Sequence, residues 1–169
     1  QTAQQQKVDT ANVNYAATQK KVTDQQAIVN GETEKLIAEQ TKEKQLTDAL
    51  AALQKAIPEL KAAAEKSAMA SEMMQGDADL KKVVEQLTAQ VTAREAEMKT
   101  KDGELATAKA NIVSIAANLE VQKKQFTVDE QANVAAKAVV DAETAALTPL
   151  QQATAAKEQA LATVQQELN

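Results

Sequence analysis

"SEMMQGDADLKKVVEQL", residues 71–87, contains the point at which a long apolar repeat stops and starts again. The repeat halts at Gln75-Gly76-Asp77 and resumes at Leu80. Glycine readily adopts the left-handed conformation that ends a helix, and aspartate can accept hydrogen bonds from the first N–H groups of the next one. The stretch therefore predicts a reversal between two helices, with Gly76 ending the first and Asp77 capping the second.

Downstream of this reversal, a series of mostly apolar positions runs from Leu80 to Phe126 at alternating steps of four and three residues. Every second position of the series is apolar, and the other positions admit Arg94, Lys101 and Gln122. A spacing of this kind, kept over many turns, is typical of a coiled-coil seam. The pattern predicts one helix over residues 77–126.

Upstream of the reversal, the same spacing is centred on Leu46, Leu53 and Leu60 and extends back to Val8, which predicts a helix over about 1–74. Asn30-Gly31 interrupts it with a dipeptide that favours turns. The sequence leaves two interpretations open here: a helix that runs through the pair, or a separate first helix that ends at Asn30.

A second reversal is predicted between Phe126 and Thr127, because Thr127 followed by Glu130 matches the capping box that begins a helix. A third helix would then span about 128–169. The predicted fold is all-α: residues 1–169 form a single elongated antiparallel coiled-coil bundle of three helices, with the first and longest helix overhanging. A turn at Asn30-Gly31 would instead give a four-helix bundle.

Composition argues against most kinds of chemistry. The chain has no Cys and no His, which removes thiolate and imidazole catalysis and the usual zinc ligands. Its net charge of −5 disfavours nucleic acid as a partner, and no apolar run approaches the length of a membrane-spanning helix. We therefore predict no catalytic, cofactor-binding or metal-binding residues and no enzyme activity. Because the sequence begins and ends in the middle of its repeat pattern, we predict that the chain is a segment of a longer protein.

Two groups of charged residues are candidate sites. Asp77 and Asp79 with Glu72 could bind a divalent cation, although helix capping and solvation account for the same residues. Arg94 and Lys101 at seam positions could form an anion site, but long cations there usually extend their stems along the core and set register.

The methionines form a third candidate group. Met69, Met73, Met74 and Met98 could line a partner-binding patch, because methionine adapts to varied surfaces. The first three lie at the predicted turn, where packing against the end of the bundle is the simpler expectation.

The heptad helices separated by short reversals resemble spectrin-type repeats. The stretches "MQGDADLKKVVEQL" and "ALTPLQQATAAKEQAL" are also similar to the Ala-, Lys- and Gln-rich helical segments of large secreted planctomycete proteins that carry cytochrome c-like and β-propeller domains. That resemblance implies a secreted or periplasmic location. It implies no site residues, since no heme-attachment motif is present.

The sequence thus predicts a non-catalytic structural spacer or scaffold that links neighbouring domains through rigid length, with possible self-association through its helical seams. The alternative is an amphipathic helical protein of the lipid-binding or pore-forming kind.

Overall fold

The computed structural model describes residues 2–75 and 77–167, and that part of the chain contains two α-helices. Helix α1 spans Thr2–Met73 and helix α2 spans Ala78–Glu167. No strand occurs among the described residues. The prediction of an all-α chain is confirmed, whereas the prediction of three helices is wrong.

Helix α1 ends where the sequence predicts. The Met74 amide still donates to the Ala70 carbonyl at 3.0 Å, and the Gln75 amide donates to the Glu72 carbonyl at 3.2 Å in a tighter final turn. Gln75 has a φ of 56°, which is the left-handed conformation. The role predicted for Gly76 lies outside the described residues.

Helix α2 begins with the predicted cap. Asp77 Oδ1 accepts hydrogen bonds from the amides of Asp79 at 2.8 Å and Leu80 at 3.2 Å. These amides have no partner within the helix, so the carboxylate satisfies groups that would otherwise depend on water.

The predicted reversal between Phe126 and Thr127 is wrong, because α2 runs through both residues. The Thr127 hydroxyl does not cap a helix and instead donates to the Lys123 carbonyl at 3.2 Å, one turn back. The sequence carries the reason: seven-residue steps from Phe126 reach Val140 and Leu147 without a change of phase. Where the helix continues, the backbone amides after Thr127 already have partners within the helix, so the motif has no free amides to cap.

Asn30-Gly31 lies inside α1, so the four-helix alternative with a turn there is also wrong. The Asn30 side chain accepts from Gln26 Nε2 at 2.8 Å, a contact between residues one helical turn apart. Poor helix propensity at the two positions costs only about 1 kcal/mol each, which packing of the seam can outweigh. The predicted excess length of the first helix is also wrong: α1 has 72 residues and α2 has 90.

The chain divides into two compact units. The turn unit is Thr33–Ala117, and the terminal unit is Gln1–Glu32 together with Asn118–Asn169. Each contains a portion of α1 and a portion of α2.

In the turn unit, the two helices run antiparallel on either side of the turn. The apolar side chains that are at most 9% exposed are Leu46, Leu50, Leu53, Ile57, Val91 and Ala108. Those on α1 follow steps of four and three, so they occupy one side of the helix. Each buried aliphatic side chain of this size stabilises the fold by roughly 1.5–3 kcal/mol relative to exposure.

In the terminal unit, the buried apolar side chains are Val8, Ala11, Leu119 and Leu147. The same apolar line on α2 continues past Leu147 but becomes exposed: Leu150 is 42% accessible, Leu161 59% and Val164 50%. Burial in this unit therefore ends near Leu147, although the apolar spacing does not.

Candidate functional site

The acidic residues at the turn are accounted for by structure. Asp77 caps α2, and Asp79 pairs with Lys82 at 3.4 Å while its side chain remains 92% exposed. Glu72 is exposed on the last turn of α1. Across residues 2–75 and 77–167, no group of three or more potential metal ligands is arranged to hold an ion.

Arg94 and Lys101 share one carboxylate. Arg94 Nη1 lies 2.7 Å from Glu97 Oε2, and Lys101 Nζ lies 3.9 Å from Glu97 Oε1. The negative charge of Glu97 offsets part of the positive charge of Arg94 and Lys101, which makes the pair less suited to binding an anion. The spacing of three and four residues around Glu97 could have been read from the sequence, because it places all three side chains on one helix face.

The methionines at the turn do not pack into the end of the structure. Met69 is 63% exposed, Met73 85% and Met74 62%, whereas Met98 is half-buried in the turn unit. The predicted packing role of the first three is not what the structure shows.

Polar side chains bridge the two helices of the terminal unit, in contacts that the sequence pattern does not predict. The Thr18 hydroxyl donates to Asn133 Oδ1 at 2.9 Å. Gln25, which is 8% exposed, donates through Nε2 to the carbonyl of Gln122 at 3.1 Å and to its side-chain Oε1 at 2.7 Å. The residues lie at seam spacing, but a hydrogen bond between helices can be inferred only once their register is known.

A third polar bridge lies nearer the start of α1. Gln4 Nε2 donates to the Glu143 carbonyl at 3.0 Å and to its carboxylate at 2.6 Å. The turn unit has a different polar contact, in which Lys61 Nζ lies 2.7 Å from Glu95 Oε1 across the helices. Both groups of that ion pair are about half exposed, so water screens it and its net contribution is small.

Lys137 and Asp141 form an ion pair on the surface of α2, with Nζ 2.8 Å from Oδ2. The hydrogen bond to Asp141, followed by the negative charge of its carboxylate, raises the pKa of Lys137 above its ordinary value. Lys137 is therefore cationic at neutral pH. Any stability the pair adds is present below the ordinary lysine pKa and is lost as pH rises through the raised value.

The surface depressions are open rather than enclosed. One lies on α2 alone and is lined by Val134, Ala135 and Ala138 with polar neighbours at its edge. Another lies between the helices of the terminal unit, beside Lys7 and Val139. In the second depression, the Thr10 hydroxyl donates to the Gln6 carbonyl and the Glu143 carboxylate accepts from Gln4, so both groups already make structural hydrogen bonds.

Comparison with protein-family models, with curated proteins and with solved structures finds no match for this chain. None of the helices over residues 2–75 and 77–167 holds an apolar stretch long enough to cross a membrane.

Proposed function

We propose that the chain is a non-catalytic structural segment: an antiparallel coiled coil that serves as a spacer or scaffold between other domains. Helix length sets the distance that such a segment spans, at 1.5 Å per residue, and the packed seam resists bending. Its function would be mechanical rather than chemical.

The observation that carries this proposal is the spacing of the buried side chains. In the turn unit, Leu46, Leu50, Leu53 and Ile57 follow steps of four, three and four, and all are at most 7% exposed. Alternation of this kind is what knobs-into-holes packing between two helices requires. A narrow seam leaves most of each helix facing water, which suits a spacer better than a pocketed enzyme.

The polar bridges of the terminal unit support the same function. The Thr18–Asn133 and Gln25–Gln122 hydrogen bonds join specific pairs of residues, so a slip of one heptad between the helices would break both of them. Polar seam residues commonly trade stability for a fixed register. A spacer depends on register, since a slip would change its length.

Distance measurements within the turn unit test the rigidity that this function requires. Spin labels on cysteines at Glu34 and Met69, both exposed on α1, should lie about 50 Å apart along the helix with a narrow distribution. The natural absence of Cys makes the labelling specific. A broad distribution would contradict a rigid spacer.

A matched deletion tests whether length is additive. Removing residues 43–49 and 102–108 takes one heptad from each helix and preserves the seam phase, so the labels should approach by about 10 Å with helicity retained. Removing only four residues from each helix breaks the phase and should lower helicity. If both deletions behave alike, seam packing does not hold the helices together.

Vesicle flotation tests the alternative of a lipid-binding or pore-forming helical protein. A spacer should remain in the protein fraction with anionic phospholipid vesicles. Strong co-flotation would favour the lipid-binding alternative and remove the support for a purely mechanical role.

A further inference from the structure

The methionines of the chain are concentrated at the turn. Of the 4 methionines, all but Met98 lie within residues 69–74. Met69, Met73 and Met74, here named the turn methionines, are each more than half exposed, whereas Met98 is half-buried on α2. The turn unit therefore holds methionines in two environments, one in contact with water and one at the seam.

Helix geometry explains why the turn methionines face water. Ser71 is 6% exposed and marks the packed side of α1 at this end of the unit. Met69 and Met73 each lie two residues from Ser71, which is about 200° around the helix. Both side chains therefore start from the side of α1 that faces away from the seam. Met74 follows directly after the last residue of α1.

Met98 has the opposite placement. It lies seven residues after Val91, which is 9% exposed, so the two residues share one heptad position and one side of α2. Ala108, further along the same seam, is also buried. The packed seam therefore covers part of the Met98 side chain.

A thioether offers chemistry that other apolar side chains lack, because its sulfur accepts an oxygen atom from a peroxide. The product, methionine sulfoxide, is polar and disrupts packing where the side chain is buried. A side chain that already contacts water makes few packing contacts to lose. Oxidation should therefore have little structural cost at the turn methionines and a larger one at Met98.

We propose that the turn is a site of reversible oxidation, at which the turn methionines are converted to methionine sulfoxide while the fold of the turn unit is retained. This modification goes beyond the proposed spacer function and does not depend on it. Spin-label distances in the unoxidised chain report rigidity whatever the rate of oxidation. Failure of one proposal is therefore distinguishable from failure of the other.

The oxidant is a peroxide, represented in the experiments below by hydrogen peroxide. The sulfur lone pair forms a bond to one peroxide oxygen as the O–O bond breaks. The proton on that oxygen passes to the departing hydroxide, which leaves as water. The sulfur gives up an electron pair and the peroxide is reduced. In the reverse step, methionine sulfoxide reductases release the oxygen as water while a pair of thiols is oxidised to a disulfide.

Time-resolved oxidation of the full chain with hydrogen peroxide tests the selectivity. Trypsin cleaves after lysine and arginine, so residues 67–81 with the turn methionines and residues 95–99 with Met98 fall in separate peptides. Mass spectrometry should show several-fold faster oxygen uptake per methionine in the first peptide. In urea, where all the methionines are exposed, the rates should be equal. A folded chain in which Met98 reacts as fast as the turn methionines overturns the proposal.

The variant Met98→Leu tests whether the fold is retained. It leaves only the turn methionines, and leucine preserves the apolar volume at the seam. After each remaining methionine has gained one oxygen atom, helicity by circular dichroism and the Tm should equal those of the untreated variant. A lower Tm after oxidation would show that the turn methionines contribute packing, and it would overturn the proposal.

The matched control is the triple variant Met69→Leu, Met73→Leu, Met74→Leu, which leaves only Met98. Leucine and methionine have similar helix propensity, so the substitutions should not disturb α1. The folded triple variant should take up oxygen several-fold more slowly than Met98→Leu does per methionine, and its Tm should fall once Met98 is oxidised. An unchanged Tm would overturn the claimed difference between the two environments.

Enzymatic reduction tests reversibility. The oxidised Met98→Leu chain is treated with dithiothreitol and a pair of methionine sulfoxide reductases, one for each sulfoxide epimer. Because the sulfoxides are exposed, the peptide of residues 67–81 should return to its original mass. Dithiothreitol without the enzymes should leave the added oxygen in place. Sulfoxide that persists after treatment with both enzymes overturns the assignment of a reversible site.

Discussion

Gln75 adopts a conformation that suits glycine better than glutamine. Its φ of 56° brings the Cβ atom close to the following carbonyl, which costs about 1 kcal/mol for a residue with a side chain. Gln75→Gly should therefore stabilise the protein by up to about 1 kcal/mol, measured by urea unfolding. Gln54→Gly, at an exposed position inside α1, should destabilise it by roughly 0.5–1 kcal/mol. A loss of stability at both sites would show that the left-handed conformation is not strained.

Substitution of Thr127 tests whether α2 continues through this position. Thr127 and Thr107 make the same contact, each donating to the carbonyl four residues back. Replacement of either by Ala should leave stability unchanged or raise it by up to about 0.5 kcal/mol, since alanine is the better helix former. Circular dichroism during thermal unfolding would measure both variants. If Thr127→Ala alone costs about 1 kcal/mol, as loss of a cap would, a helix begins at Thr127 after all.

Within α2, two leucines at equivalent positions of the repeat should contribute differently to the free energy of unfolding. Leu147 is 5% exposed and Leu161 is 59% exposed, although both lie on the apolar line of α2. Leu147→Ala should cost about 2 kcal/mol or more, because it removes buried surface and leaves a cavity. Leu161→Ala should cost little, because the side chain contacts water and alanine favours the helix.

Urea unfolding of the two leucine variants under one set of conditions measures that contrast. Equal large losses would mean that Leu161 is covered in solution. The concentration dependence of the Leu161→Ala loss would then show whether the cover is a second copy.

The sequence predicts the helices better than it predicts where they reverse. The seam from Leu80 and the cap at Asp77 follow from spacing and side-chain chemistry that act within a few residues. The helix start predicted at Thr127 is wrong because its local capping motif lies within a seven-residue repeat that continues in phase to Leu147. The longer-range repeat determines the structure there. The Gln25–Gln122 bridge could not be predicted, because it depends on which residues of two distant segments lie opposite each other.

Across the whole molecule, the two units differ in the chemistry of their seams. The turn unit buries a run of leucines and Ile57, and Ser71 near the turn, whereas the terminal unit buries Gln25 and bridges its helices through several polar side chains. Apolar burial stabilises by about 25 cal/mol per Å², but a hydrogen bond in a folded protein contributes a net 0.5–1.5 kcal/mol. The turn unit should therefore open less often than the terminal unit.

Native-state hydrogen exchange measures that difference residue by residue. Amides of residues 46–57 should be protected at least about tenfold more than those of residues 8–25, corresponding to about 1.4 kcal/mol. Gln25→Leu alone should lower protection in the terminal unit, because it removes the side-chain donor to Gln122 from the seam. Gln25→Leu combined with Gln122→Leu should restore or exceed the original protection, because no polar group remains to be satisfied. Uniform protection in both units, unchanged by the single variant, would contradict this prediction. It would show that the polar bridges do not affect local stability and that the two units open with the same free energy.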